Sequence, residues 1–83
     1  MSDTAVTTIY SSPACGACTA SKTLMTSRQI PFVALDVTRD EGAMDTVREL
    51  GYRSLPVVVA PDGSHWSGLR PDLIMKITSQ AAA

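Results

Sequence analysis

Two cysteines, Cys15 and Cys18, are the residues of this sequence whose type and spacing point most directly to chemistry. Two thiols three residues apart, one of them on the first turn of a helix, can reach each other and cycle between dithiol and disulfide. A disulfide between them would close a very short loop and stabilise the fold little through chain entropy. The pair is therefore expected to carry out redox chemistry rather than to staple the chain.

The predicted surroundings assign different roles to the two sulfur atoms. A β-branched and aromatic stretch, 6–10, predicts a strand, residues 11–14 break it, and a helix is expected from Cys15 to about Arg28. The unpaired N–H groups at a helix start favour an anion, so we expect a lowered pKa for Cys15, the attacking thiolate. Cys18 lies one turn deeper and would resolve the mixed disulfide.

A metal site is the alternative use of these thiols. Zinc in a closed site takes about four ligands, and only His65 remains as a soft ligand, so no metal site is expected within one chain. Met25, Met44 and Met75 are expected to fill the core. An iron–sulfur cluster or metal shared between two chains, with external thiols as further ligands, stays open as an alternative.

The elements that must hold the pair follow from the hydrophobic pattern. The buried stripe of the first helix is predicted at Ala17, Ala20 and Leu24. The almost continuously apolar segment 32–37 predicts a strand that is buried on both faces.

A second helix is predicted in the middle of the chain. Thr38 and Glu41 have the spacing of a capping box, and the helix would run through Leu50. Gly51 follows where the chain needs a left-handed conformation to leave the helix.

The last third of the chain predicts a hairpin and a helix. Residues 56–60 predict a strand, a Pro-Asp-Gly turn follows, and 64–67 would return as its partner. Pro71 suits the first position of a last helix. The apolar face of that helix is predicted at Leu73, Ile74 and Ile77. The order β-α-β-α-β-β-α resembles the thioredoxin fold, an α/β architecture with a four-stranded mixed sheet and three helices; we expect residues 1–83 to form one such domain.

Composition and charge exclude several classes of function. The chain has 83 residues, which leaves no room for a nucleotide-binding half. Its net charge of −1 gives no electrostatic reason to expect binding to nucleic acid or to an anionic membrane. No apolar run approaches the ~20 residues that span a bilayer, and the N-terminal residues lack the pattern of a secretory signal. A cytoplasmic protein is therefore expected.

The dipeptide Leu55-Pro56, before a valine-rich strand, is the second feature with a chemical meaning. Most X-Pro bonds are trans. Beside the cysteine pair of a thioredoxin-like fold, however, we expect a cis bond. The backbone of Leu55 would then be free to pair with an extended partner peptide.

The segment Trp-Ser-Gly-Leu-Arg-Pro-Asp at 66–72 makes the resemblance specific. With the Cys-x-x-Cys after the first strand, the sequence is similar over 7–77 to the NrdH-redoxins, small glutaredoxin-like proteins reduced by thioredoxin reductase. Leu69 stands where phenylalanine is usual in that family. Gly-Ala separates the cysteines instead of Val-Gln or Met-Gln. Ser12 replaces a common lysine, a cation that would help to stabilise the thiolate.

What the resemblance implies is a dithiol electron carrier. Electrons would pass from NADPH, through the FAD of thioredoxin reductase, to a protein disulfide on the large subunit of class Ib ribonucleotide reductase. The chain itself has no nucleotide fingerprint, so we expect no bound cofactor, and we expect a monomer. The expected binding residues are Leu55, Pro56, Trp66, Ser67, Gly68 and Arg70.

Several single residues have expected roles outside the cysteine pair. Trp66 is expected to pack, with its N–H bonded to a neighbouring loop. By resemblance, Arg70 would link the Trp66 segment to the second helix. His65 is expected to face solvent without a catalytic part. Asp36 is expected either to assist proton transfer to Cys18 or to have a capping or surface role. Packing roles are expected for Tyr10 and Tyr52.

A glutaredoxin or mycoredoxin that uses a low-molecular-weight thiol is the alternative enzyme. Such proteins share the fold and the first cysteine. They normally hold the small thiol with a lysine before the cysteine motif and a polar, Gly-rich turn before the last helix. Ser12 and the segment 66–68 match that pattern poorly.

Overall fold

Seven elements lie within the described part of the chain, in the order that the sequence predicts. In a computed structural model, the backbone is described for residues 6–82 and the side chains for residues 6–77. The elements are β1 (Thr7–Ser11), α1 (Gly16–Ser27), β2 (Phe32–Asp36), α2 (Glu41–Glu49), β3 (Val57–Val59), β4 (His65–Ser67) and α3 (Pro71–Ala82).

The four strands form one mixed sheet in the order β2-β1-β3-β4. β1 and β2 run parallel, as a β-α-β crossover requires. β3 is antiparallel to β1, with Tyr10 opposite Val57, and β4 is antiparallel to β3, with Trp66 opposite Val58. The predicted thioredoxin fold is confirmed.

Two hydrophobic clusters lie on opposite faces of this sheet, because successive side chains of a strand point to opposite sides. The cluster under α1 and α3 contains Ile9, Met25, Ile30, Val58, Ala60, Trp66, Ile74 and Ile77. The cluster under α2 contains Val37, Ala43, Val47 and Val57. The predicted apolar face of α3 is confirmed at Ile74 and Ile77, with Leu73 packed beside them.

The prediction of burial on both faces is wrong for β2. This strand lies at the edge of the sheet, next to β1 alone. Val33 is 48% exposed, and Ala34 is exposed as well. An apolar run favours a strand. Whether that strand has a neighbouring strand on each side and a helix over each face depends on the strand order, and an edge strand is less buried.

The buried stripe of α1 differs from the predicted one. Cys18, Ser21 and Met25 are the buried residues, whereas the predicted positions, Ala17, Ala20 and Leu24, are half-buried. The shift by one residue corresponds to a rotation of about 100° around the helix axis. A helix diluted with serine and threonine leaves this rotation to the packing on the sheet.

The predicted capping box of α2 is wrong. The N-cap is Asp40, whose carboxylate accepts a 3.1 Å hydrogen bond from the N–H of Ala43. Thr38 bonds to Asp36 instead. A carboxylate placed directly before the first turn caps as well as threonine does and also complements the helix dipole. The predicted left-handed conformation of Gly51 is confirmed, with φ of 89°.

The three methionines differ in environment. Met25 is fully buried, and Met44 packs partly buried against the cluster under α2. Met75 is 39% exposed, so its predicted place in the core is wrong. It lies next to the buried Ile74 on α3, on the side of the helix that faces away from the sheet.

Candidate redox site

The cysteine pair lies where β1 ends and α1 begins. Cys15 is the N-cap residue of α1, with extended backbone. The two sulfur atoms are joined in a disulfide, and the Cα atoms of Cys15 and Cys18 are 5.2 Å apart. The predicted strand–cysteine–helix arrangement is confirmed.

The two sulfur atoms are in unequal environments. Cys15 is partly exposed, whereas Cys18 is fully buried. The backbone N–H of Cys18 donates a 3.0 Å hydrogen bond to Sγ of Cys15. A donor from the first turn of a helix stabilises negative charge on that sulfur. The more exposed cysteine, Cys15, is therefore the one whose thiolate the start of α1 stabilises.

The sheet brings Pro56 to the same end of the molecule. Tyr10 is opposite Val57 in the antiparallel register. Continuing this register by one residue places Pro56 beside Ser11, the last residue of β1. Both residues are buried. The Leu55–Pro56 peptide bond is cis, as predicted.

The segment after β4 holds this loop by two hydrogen bonds. The N–H of Gly68 donates to the carbonyl of Pro56 at 2.8 Å, and Oγ of Ser67 donates to the carbonyl of Ser54 at 2.9 Å. Gly68 has φ of 92°, which a residue with a side chain rarely adopts. Ser67 and Gly68 thus position the loop that carries Leu55.

The backbone of Leu55 is itself free to bind. Within residues 6–82, neither its N–H nor its carbonyl has a hydrogen-bond partner. Its side chain borders a groove of about 240 Å³ between α2 and the following loop. The groove is lined by Met44, Val47, Arg48, Tyr52, Arg53 and Leu55.

Trp66 packs in the core, as predicted. It is 6% exposed and belongs to the cluster under α1 and α3. The predicted hydrogen bond from its indole to a loop is wrong: among the described residues, Nε1 has no partner. The position opposite Val58 in the sheet turns the ring into the apolar layer, where no acceptor of the described residues bonds to it.

The predicted link from Arg70 to the second helix is wrong. The guanidinium of Arg70 binds Asp72 through Nε at 3.3 Å and Nη2 at 3.2 Å. Asp72 is only two residues from Arg70 and lies on the first turn of α3, so the ion pair is local and does not reach α2. The hydrogen bond from Arg70 lowers the pKa of Asp72, and desolvation opposes this shift.

Asp36 acts as a local cap at the end of β2. Its Oδ1 accepts hydrogen bonds from the hydroxyl of Thr38 at 2.6 Å and from the N–H of Thr38 at 2.9 Å. These bonds lower the pKa of Asp36, with smaller help from the charges of Arg39 and Lys22. Of the two predicted roles, capping is the one observed; the role in proton transfer stays a prediction.

A side-chain pair that the sequence did not predict joins the Pro56 loop to β4. The hydroxyl of Tyr52 and Nδ1 of His65 are 2.8 Å apart, and their rings meet edge to face. His65 is exposed, as expected. The two residues are thirteen positions apart, and no local pattern signals a contact that the return of β4 creates.

Two features are absent from the part of the chain that the structure describes. Residues 6–82 contain no group of three or more His, Cys, Asp or Glu side chains able to hold a metal ion. In the same part of the chain, no helix has the length and apolar character needed to cross a membrane.

Together, the fold and the cysteine pair define a thiol–disulfide oxidoreductase of the thioredoxin fold. The glutaredoxin family profile matches residues 7–66. The glutaredoxin-like protein NrdH of Salmonella typhimurium is 46% identical over 70 residues, which cover 84% of this chain and 85% of that protein. The chain belongs to the NrdH-redoxins, within the glutaredoxin family.

Solved structures agree with this assignment. NrdH-redoxin from Escherichia coli superposes with a TM-score of 0.81 at 41% identity, covering 86% of this chain and 92% of that one. It is described as a glutaredoxin-like protein with a thioredoxin-like activity profile. The thioredoxin-like protein BC3987, at 22% identity and a TM-score of 0.77, shares the fold and covers 86% of this chain and 97% of its own.

Proposed function

We propose that this protein is a dithiol electron carrier that reduces a disulfide on the large subunit of class Ib ribonucleotide reductase. Thioredoxin reductase, fed by NADPH through its FAD, would restore the dithiol. The chain would bind no cofactor of its own and act as a monomer in the cytoplasm. One observation carries the proposal: Cys15 is partly exposed, and its sulfur accepts a hydrogen bond from the backbone N–H of the fully buried Cys18.

The reaction begins at the accessible sulfur. The thiolate of Cys15 attacks one sulfur of the target disulfide, the target S–S bond breaks, and one target cysteine leaves as a thiolate that takes up a proton. The thiol of Cys18 then loses its proton and attacks Sγ of Cys15. This releases the second target thiolate, which is also protonated. Two electrons have passed to the target, and the Cys15–Cys18 disulfide remains.

The backbone of Leu55 is the proposed docking element for the target. Its unpaired N–H and carbonyl suit an extended segment that adds to the loop as a strand would. Pro56 shapes this loop beside the end of β1, Ser67 and Gly68 hold it, and Trp66 anchors β4 in the cluster under α1 and α3. The adjoining groove, with its apolar floor and two arginines, would take side chains of that segment.

Two observations support thioredoxin reductase over a small thiol such as glutathione. Arg70 is already paired with Asp72, so this cation is not free for the carboxylate of a small thiol. Ser12 supplies no positive charge before the cysteine motif. The thioredoxin-like profile described for the protein from Escherichia coli points in the same direction.

Oxidation of NADPH in the presence of insulin disulfides tests the electron route. One reaction contains thioredoxin reductase, and the other contains glutathione with glutathione reductase. Turnover only in the first is expected. Turnover only in the second would show that glutathione is the reductant and would contradict the proposed route. To test the target, the large subunit of ribonucleotide reductase replaces insulin in the reaction that turns over.

A further inference from the structure

Ser21 has a buried hydroxyl group whose hydrogen bonding is unusual for a helix. Its side chain is fully buried, and within the described residues its Oγ has no partner. Hydroxyl side chains in helices commonly bond to a carbonyl three or four residues earlier. Thr19, Ser27 and Thr46 do so in this protein. Leaving a buried hydroxyl unpaired is costly, so Ser21 calls for an explanation.

The neighbours of Ser21 on the buried face of α1 are Cys18 and Met25. Residues three apart on a helix lie side by side, with Cβ atoms about 5–6 Å from each other. Cys18 and Ser21 are both fully buried on this face. On this buried face, the sulfur of Cys18 is the polar side-chain atom nearest in sequence to the unpaired Ser21 hydroxyl. In the oxidised protein that sulfur is part of the disulfide.

We propose that Ser21 is a positioning residue for Cys18, whose sulfur accepts a hydrogen bond from the Ser21 hydroxyl only after the disulfide is reduced. Reduction adds two electrons and two protons, breaks the bond between the sulfur atoms and leaves the Cys18 thiol free to turn about its Cα–Cβ bond. The proposal rests on the dithiol–disulfide cycle given above. It adds a residue that favours one redox state over the other.

The hydrogen bond has an equilibrium consequence. A partner that exists only in the dithiol state stabilises that state, so the reduction potential becomes less negative. Loss of one ordinary hydrogen bond changes an equilibrium constant by about threefold to tenfold. At 29.6 mV per factor of ten, that is a shift of about 14–30 mV toward more negative potential when the hydroxyl is removed.

The hydrogen bond from Ser21 to Cys18 also has a kinetic consequence, in the step that releases the target. The buried thiol of Cys18 must lose its proton before it attacks Sγ of Cys15, and burial in apolar surroundings opposes the thiolate. A hydroxyl that donates to the thiolate offsets this penalty. Resolution of the mixed disulfide should therefore be slower without Ser21, while the first attack by Cys15 is unchanged.

The experiment compares Ser21→Ala with two controls. Ser21→Thr keeps a hydroxyl at the same place, and Thr23→Ala removes an exposed hydroxyl from the same helix. Each purified protein is equilibrated with mixtures of reduced and oxidised dithiothreitol, and the dithiol fraction is measured after alkylation. This measurement needs neither thioredoxin reductase nor a protein target. A negative result for Ser21 is therefore distinguishable from a failure of the proposed electron route.

The expected result is a threefold to tenfold smaller equilibrium constant for reduction in Ser21→Ala, with both controls close to the unaltered protein. Thermal unfolding is measured in both redox states as a second readout. Ser21→Ala should lower the midpoint of the dithiol form and leave that of the disulfide form unchanged or raised, because an unpaired hydroxyl is removed there.

Two outcomes would overturn the proposal. One is an unchanged potential in Ser21→Ala. The other is an equal loss of thermal stability in both redox states, which would mean that the hydroxyl has the same partner, such as a buried water, before and after reduction.

Discussion

The backbone N–H of Cys18 donates a hydrogen bond to the sulfur of Cys15, 3.0 Å away, at the first turn of α1. The residue that resolves the mixed disulfide thus also contributes, through its backbone, to stabilising the attacking sulfur. This contribution does not depend on the side chain at position 18. It survives when Cys18 is replaced, which makes the two cysteines separable by mutation.

Replacing the cysteines one at a time should therefore give different outcomes. Cys15→Ser removes the attacking sulfur and should abolish reduction of insulin. Cys18→Ser keeps the backbone donor, so the first attack should proceed and leave a stable mixed disulfide at Cys15. Mass spectrometry of the intact adduct with a peptide disulfide checks this. Normal multiple turnover by Cys18→Ser would refute the dithiol mechanism.

Ser67→Ala should weaken catalysis without unfolding the protein. The variant loses the 2.9 Å bond to the carbonyl of Ser54, and the loop that carries Leu55 is less well held. A loss of about threefold to tenfold in kcat/KM is expected, the effect of one hydrogen bond. Steady-state insulin reduction measures it. Ser27→Ala, which removes a similar bond at the far end of α1, serves as the control and should keep full activity.

Asp36 should make the fold sensitive to acid. Its hydrogen bonds from Thr38 lower its pKa in the folded state, so the ionised carboxylate favours folding at neutral pH. This contribution is complete above the unfolded-state pKa, near 3.8, and is lost as pH falls through the lower pKa of the folded state. Asp36→Asn should flatten the dependence of Tm on pH in that acidic range. An identical Tm profile in both proteins would contradict this role.

Trp66→Phe should be far milder than Trp66→Ala. Phenylalanine keeps most of the buried ring and removes the Nε1–H that has no partner among the described residues. Phe leaves a smaller cavity than Ala, so its cost should lie well below the cost of about 3–5 kcal/mol expected for Ala. Urea unfolding of each variant provides the comparison. Equal, large losses would mean that the indole N–H has a partner in solution.

The redox site and the order of elements could be predicted because their signals are local. Cys15 and Cys18 are three residues apart, and a strand before them and a helix after them suffice to define their chemistry. Gly51 is another local case, since the positive φ with which it ends α2 is a matter of the helix terminus and not of where the helix packs. Such features depend on neighbours along the chain and are therefore visible in the sequence.

Tertiary packing decided the features that depend on distant neighbours. The same apolar pattern suits a central or an edge strand, and only the strand order left Val33 exposed. The rotation of α1 about its axis, set by packing on the sheet, buries Ser21 rather than Ala20. The bond from Ser67 to Ser54 exists because β4 returns beside the loop before β3. Contacts across many residues depend on how whole elements pack, and no short stretch of sequence contains that information.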